Sequence, residues 1–237
     1  PWFRVSALAA SERSAGQRYG QAARWFLPQP IPDWARDLEV VPCSPGLDAR
    51  VAFSGLDASV AGPIEEEFAR AGCAVVSNSR NHRMDPDVPL LIPEVNADHL
   101  DLIEAQKKKW RGGGFIVTNP NCSTVGLALS AAPLHRAFGI KRLVVATLQA
   151  ISGAGYPGVA AVDILDNVIP YIGGEEEKME SETLKILGTS RAAATFAVSA
   201  HCHRVQVSDG HTLAVSVETE RKASPEEATE TLRAFRS

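Results

Sequence analysis

Short apolar runs set between stretches of helical spacing fill the first half of this chain, and they leave few folds open. Residues 3–9, 51–53, 74–76 and 90–92 each read as a strand. Between them, residues 58–71 place Val60, Ile64, Phe68 and Ala71 at helical spacing. Strands this short, apolar without alternation and separated by helices, must be covered on both faces. That predicts an α/β domain built on a mostly parallel sheet. The proline-rich stretch 28–45 is expected to be irregular.

The second half changes character. Residues 141–150 form a long strand, apolar on both faces except where Thr147 and Gln149 project, and glycines over 153–158 break it. A turn-containing connection over 163–174 leads to a helix over 175–187. Residues 196–207 and 211–219 then predict a hairpin across Ser208-Asp209-Gly210, a strong turn signal. Ser224-Pro225-Glu226-Glu227 is a capping box with proline at the first helical position, and Ala228, Leu232 and Phe235 share one face of the helix it opens. These patterns place a parallel-sheet domain over 1–121 and a mixed α+β domain over 122–237. A strand follows residue 1 almost at once, and the last helix has an apolar face still needing a partner, so the chain is expected to be incomplete at both termini.

Composition narrows the partners. A net charge of −4 over 237 residues, with basic residues scattered apart from Lys107-Lys108-Lys109, argues against nucleic acid and acidic membrane surfaces. No apolar run is long enough to cross a bilayer, and no secretory pattern is present. The four cysteines, Cys43, Cys73, Cys122 and Cys202, are widely spaced with no C-x-x-C pair, which suits free thiols in a cytoplasmic setting.

Cys122 is the candidate nucleophile. It stands where the strand-like residues 115–117 give way to a helical pattern, so it meets unsatisfied N–H groups and the positive end of the helix dipole. A buried structural cysteine is the competing reading. In the expected hairpin a two-residue turn pairs Arg204 with Val215 and Ser208 with His211, which puts Arg204 and His211 on one face. An arginine beside an imidazole suits anion binding next to an acid–base group, although surface decoration explains the pair as well. His201, Cys202 and His203 raise zinc, but in a strand at most two of them converge and no second ligand cluster is evident, so no metal is expected. Ser152-Gly153-Ala154-Gly155 lets backbone approach a ligand, or is merely a turn. Ser11-Glu12-Arg13-Ser14 ends what would be the second strand of a dinucleotide fold. Hydroxyls at Ser11 and Ser14 flanking Arg13 favour a 2′-phosphate and hence NADP, while a capped helix start without ligand remains open.

The ordered set of motifs resembles aspartate-semialdehyde dehydrogenase of the archaeal and fungal branch. It runs from Ala9-Ala10-Ser11-Glu12-Arg13-Ser14-Ala15-Gly16 through His82-Arg83-Met84 and Leu90-Leu91-Ile92-Pro93-Glu94 to Asn119-Pro120-Asn121-Cys122-Ser123-Thr124. It continues in Leu148-Gln149-Ala150-Ile151-Ser152-Gly153, Gly173-Gly174-Glu175-Glu176-Glu177-Lys178, Arg204-Val205 and Asp209-Gly210-His211-Thr212. The resemblance implies a Rossmann-like nucleotide-binding domain, lacking its first βα unit, joined to a catalytic and dimerisation domain. It also implies NADP-dependent, phosphate-dependent interconversion of L-aspartyl-4-phosphate and L-aspartate 4-semialdehyde, a step of lysine, threonine and methionine biosynthesis, by a homodimer or homotetramer.

By the same resemblance, Cys122 carries the thioester, His211 is the acid–base group and Gln149 orients the reacting groups. Arg204 grips the substrate carboxylate and Glu175 its ammonium. Arg83 and Lys178 hold phosphate, and Asn121 also borders the substrate. Ser11, Arg13 and Ser14 take the 2′-phosphate, with Ser152, Gly153 and Gly155 beside the nicotinamide. Two departures stand out, the absence of the glycine-rich first turn and of the C-terminal stretch that packs back on the nucleotide domain; a smaller one is His203 in place of the usual asparagine, where it is expected to alter substrate grip or pH dependence. The rival readings are a malonyl- or succinyl-CoA reductase of related fold, and an inactive truncated subunit acting as a dimerisation module.

Overall fold

The computed structural model describes residues 2–110 and 112–236. Two compact units emerge, one of residues 1–81 and 104–117, the other of residues 82–103 and 118–237. The division expected after residue 121 lies beside the crossing at 117/118. Residues 82–103 nevertheless pack with the second unit, because Leu90, Ile92 and Val95 join its core alongside Leu127, Ala131 and Met179.

In the first unit, β1 (Leu8–Ala10) pairs in parallel with β2 (Val40–Pro42). A separate sheet runs β3 (Val51–Ser54), β4 (Ala74–Ser77), β5 (Phe115–Thr118), with β3 and β4 parallel. The stretch expected to be irregular thus supplies β2 and a helical turn at Asp33–Arg36. Buried Val40 anchors the strand, and Pro42 sits at its end, where a missing N–H costs least. The Ala58–Arg70 helix starts on Asp57, whose carboxylate accepts from Ser59 N at 2.8 Å. Its buried face is Ala61, Gly62, Glu65, Phe68 and Ala69, and the expected anchor Val60 is exposed. Hydrophobic spacing misjudged that face because it buries a carboxylate. Glu65 Oε1 accepts from Ser54 Oγ at 2.6 Å and Ser77 Oγ at 2.7 Å, both at strand ends.

The second unit centres on β6 (Ile140–Gln149), flanked by β7 (Ala197–Arg204) and β8 (His211–Thr219) in the order β7-β6-β8. β7 runs parallel and β8 antiparallel to β6, so the expected hairpin does not form. The turn residues cross the end of β6 instead. Val205 N donates to Gln149 O (3.0 Å), Ile151 N to Val207 O (2.9 Å) and Ser152 N to Ser208 O (3.2 Å). Gln149 consequently lies opposite both Arg204 and His211, which puts all three side chains on one face by a route other than the one expected.

That face is the buried one. Leu143, Val145, Thr147 and Gln149 are buried on it, and Leu143 and Val145 join Leu127, Ala128, Met179 and Ile186 in the core. The Cys122–Phe138 and Glu175–Leu187 helices supply those partners. The opposite face is open, with Val144 38% and Leu148 47% exposed, where the sequence suggested cover on both sides. The outer edge of β7 is closed by carboxylates of the Glu175–Leu187 helix. Glu180 Oε1 accepts from Ala200 N (3.1 Å) and Glu176 Oε1 from Cys202 N (3.0 Å), satisfying edge donors that would otherwise recruit another strand. Ser224 and Glu227 form the capping box expected, opening the helix Pro225–Ala234. No helix among the described residues is long and apolar enough to cross a membrane.

Lys185 fastens the segment that carries Arg83. Its Nζ donates to the carbonyls of Arg83 (2.7 Å), Asp85 (2.7 Å) and Val88 (2.9 Å). Burial lowers its pKa to about 8, with Asp85, Asp87 and Glu182 only partly offsetting the effect. The folded value lies below the unperturbed 10.5, so between these limits the unfolded chain binds more protons and this lysine's contribution to stability rises with pH. Wild type should therefore gain stability over Lys185→Met as pH climbs from about 8 to about 10.5. Urea unfolding of both proteins across that window checks this; a stability difference independent of pH contradicts it.

Candidate active site

Cys122 is the first residue of the Cys122–Phe138 helix, and its thiol is exposed. The residue before it is fixed from three directions. Asn121 Oδ1 caps the helix by accepting from Ser123 N (3.0 Å) and Thr124 N (3.4 Å), its Nδ2 donates to Glu175 Oε2 (2.8 Å), and its backbone N donates to Glu182 Oε2 (2.6 Å). The sulfur is thereby held at the start of the helix, at the positive end of its dipole.

Facing it across 3.2 Å is His211 Nε2. The other ring nitrogen, Nδ1, accepts from Ala150 N at 3.1 Å, so in the neutral ring the proton resides on Nε2 and points at the sulfur. Ala150 uses its carbonyl as well, accepting from Arg204 Nη1 at 2.7 Å. One backbone unit at the end of β6 thus orients both the imidazole and the guanidinium. Gly153 lies directly against them: a Cβ there would stand 2.9 Å from Arg204 Nη1 and 3.3 Å from His211 Cε1. A side chain at 153 would have to displace the Arg204 guanidinium.

Arg204 is 6% exposed and has no carboxylate partner among the described residues. A buried cation without a counter-charge is costly, and a bound anion relieves that cost. Glu175, in the same unit, carries the opposite charge. Burial alone would raise its pKa, but hydrogen bonds from Lys178 Nζ (2.7 Å) and Asn121 hold it below the usual carboxylate range, so it stays ionised. Gln149 is almost wholly buried, and its side-chain amide is a further group that helps to keep Glu175 ionised. Arg83 is also buried, with Nη1 on Glu182 Oε1 at 2.9 Å.

Eight residues expected to act together, Cys122, His211, Gln149, Arg204, Glu175, Lys178, Arg83 and Asn121, lie in the second unit, joined by these contacts or by shared register. His203 is not among them. It stands on the opposite sheet face from Arg204, with Nδ1 against Thr147 O (3.1 Å). Cys202 is buried and its thiol is pushed up to about 11 by burial, as befits a packing residue. Among the described residues no group of three or more potential metal ligands converges. Sequence reasoning missed Glu182, Lys185 and the two backbone groups of Ala150. The first two were detectable, because Glu175, Lys178, Glu182 and Lys185 recur at one helical face.

In the first unit, Ser11, Arg13 and Ser14 form the turn after the carboxyl end of β1, with Ser14 N donating to Ser11 O at 2.9 Å. Arg13 is exposed, and its guanidinium has no ion-pair partner among the described residues. Hydroxyls around an unpaired arginine at the end of a parallel strand fit a phosphate group.

Comparison with known proteins gives the class first. Residues 1–103 match the family model "Semialdehyde dehydrogenase, NAD binding domain", and residues 131–237 match "Semialdehyde dehydrogenase, dimerisation domain". Among curated proteins, aspartate-semialdehyde dehydrogenase of Archaeoglobus fulgidus is 52% identical over 96% of this chain and 68% of its own length. That of Cryptococcus neoformans is 49% identical over 100% of this chain and 68% of its own. A crystal structure of aspartate semialdehyde dehydrogenase with NADP from Candida albicans superposes with a TM-score of 0.90 at 43% identity, covering 99% of this chain and 70% of that one. The chain belongs to the aspartate-semialdehyde dehydrogenase family of oxidoreductases.

Proposed function

We propose that the protein interconverts L-aspartyl-4-phosphate and L-aspartate 4-semialdehyde, with phosphate and NADP, through a thioester on Cys122. The carrying observation is the 3.2 Å approach of Cys122 Sγ to His211 Nε2 beside a buried Arg204 that has no carboxylate partner among the described residues. In the direction of semialdehyde, Sγ bonds to the acyl carbon, and the carbon–oxygen bond to phosphate breaks with its electron pair leaving on phosphate. NADPH, when bound, supplies the hydride that no side chain can furnish.

The chain's own groups do the rest. Arg204 offers a fork to the substrate carboxylate, and ionised Glu175 attracts the ammonium. Arg83 and Lys178 receive phosphate, and Gln149 orients the reacting groups. His211 holds a proton at Nε2, ready for charge developing at sulfur or at the oxygen on the same carbon. Asn121 keeps the nucleophile's helix start in place. Ser11, Arg13 and Ser14 would hold the 2′-phosphate of NADP, and Ser152, Gly153 and Gly155 would form the loop facing the nicotinamide. A homodimer or homotetramer in a cytoplasmic, reducing setting, acting in lysine, threonine and methionine biosynthesis, completes the reading.

The test compares two assays on the purified protein. Aspartate semialdehyde with phosphate and NADP should produce NADPH, while malonyl-CoA and succinyl-CoA should cause no oxidation of NADPH. Turnover of the thioester substrates in preference to the semialdehyde would overturn the assignment, and no turnover of either would favour a non-catalytic subunit.

A further inference from the structure

The Glu175–Leu187 helix turns a charged stripe inward, and only its first half is accounted for by substrate binding. Glu182, one turn beyond Lys178, is 2% exposed and is not itself assigned to substrate. Its two oxygens are divided: Oε1 accepts from Arg83 Nη1 at 2.9 Å and Oε2 from Asn121 N at 2.6 Å. Lys185, one turn further, holds the carbonyls of Arg83, Asp85 and Val88. A carboxylate buried this deeply is tolerated because both oxygens receive donors, one of them cationic.

We propose that Glu182 is a positioning residue that ties the anion-binding guanidinium of Arg83 to the backbone of Asn121, so that the phosphate arm and the nucleophile's helix start hold one fixed geometry. The proposal rests on the reading of Arg83 as a phosphate ligand. Asn121 precedes the nucleophile by one residue, so movement of its N–H displaces the sulfur against His211, and Arg83 freed from Glu182 loses the aim of its fork. A carboxylate is required because it alone accepts from both sides; an amide would turn a donor towards one of them.

Glu182→Gln in the full chain tests this, with Arg83→Ala and the double variant completing a cycle. The KM for phosphate should rise about tenfold or more in Glu182→Gln, while the KM for aspartate semialdehyde changes by less than about threefold. On the Arg83→Ala background the same change should add less than about twofold, because Glu182 then has no guanidinium to aim. A second readout needs no turnover: iodoacetamide labelling of Cys122, followed by mass spectrometry, should change in rate by about threefold or more and lose its protection by inorganic phosphate. Equal rises in both KM values, full additivity in the cycle, or unchanged labelling would overturn the proposal.

If Glu182→Gln loses its cooperative unfolding transition, Glu182→Asp decides. It keeps the charge but falls one methylene short, so a folded Asp variant with wild-type phosphate KM also overturns the idea. Should wild-type turnover prove independent of phosphate, the functional reading fails. The labelling rate of Cys122 in the variant still judges the tie to the nucleophile.

Discussion

Cys122→Ser is expected to lower turnover by about a thousandfold or more while leaving the fold intact. The reason lies in the imidazole opposite. Ala150 N–H occupies His211 Nδ1, so the neutral ring carries its proton on Nε2 and aims it at position 122. In that tautomer His211 can donate to a negative sulfur, but it has no lone pair with which to take a proton from a serine hydroxyl. A thiol ionises within reach of neutral pH without such a base; an alcohol does not. Position 122 is exposed, and oxygen for sulfur removes little buried surface there, so the unfolding midpoint should move by no more than about 2 °C. Steady-state assays and a thermal melt check both halves. Residual turnover within about tenfold of wild type would mean that position 122 is not the nucleophile.

How legible this was in the sequence depends on which forces each pattern reports. The helix over 175–187 and the capping box at Ser224 were read to the residue because capping and helical spacing are local. The hairpin was misread because a turn signal fixes a reversal of direction and leaves the neighbouring strand undetermined. β6, long and apolar, competed for both edges and won. The facing of Arg204 and His211 was nonetheless inferred, since strand alternation survives a change of partner as long as both pair with Gln149. In the first unit the apolar stripe named Val60, which is exposed, and passed over Glu65, whose carboxylate is buried by two serines from distant strands. Nothing local records such a partnership. Cys122, Gln149, Glu175 and Arg204 were named from motifs, whereas Ala150 escaped because its contribution is made by backbone groups that every residue possesses.

Arg204→Lys should reduce kcat/KM for aspartate semialdehyde by about a hundredfold, or roughly 3 kcal/mol, mainly through KM. The guanidinium has two tasks that an ammonium cannot share. Nη1 is committed to Ala150 O at 2.7 Å, and among the described residues no carboxylate takes the rest of the guanidinium, which leaves it for a substrate carboxylate. Lysine is a compact point charge: it can sit on Ala150 O or reach for the carboxylate, and does neither with two parallel bonds. Buried beside Gly153, where an added Cβ would already crowd Arg204, the new side chain also has little room to rearrange. Arg204 is linked to the nucleophile indirectly, through Ala150 and His211, so iodoacetamide labelling of Cys122 should stay within about twofold of wild type even as substrate affinity falls. A variant with wild-type KM and collapsed kcat would assign Arg204 to the chemistry. A variant unchanged in both would leave this buried cation without a substrate to hold.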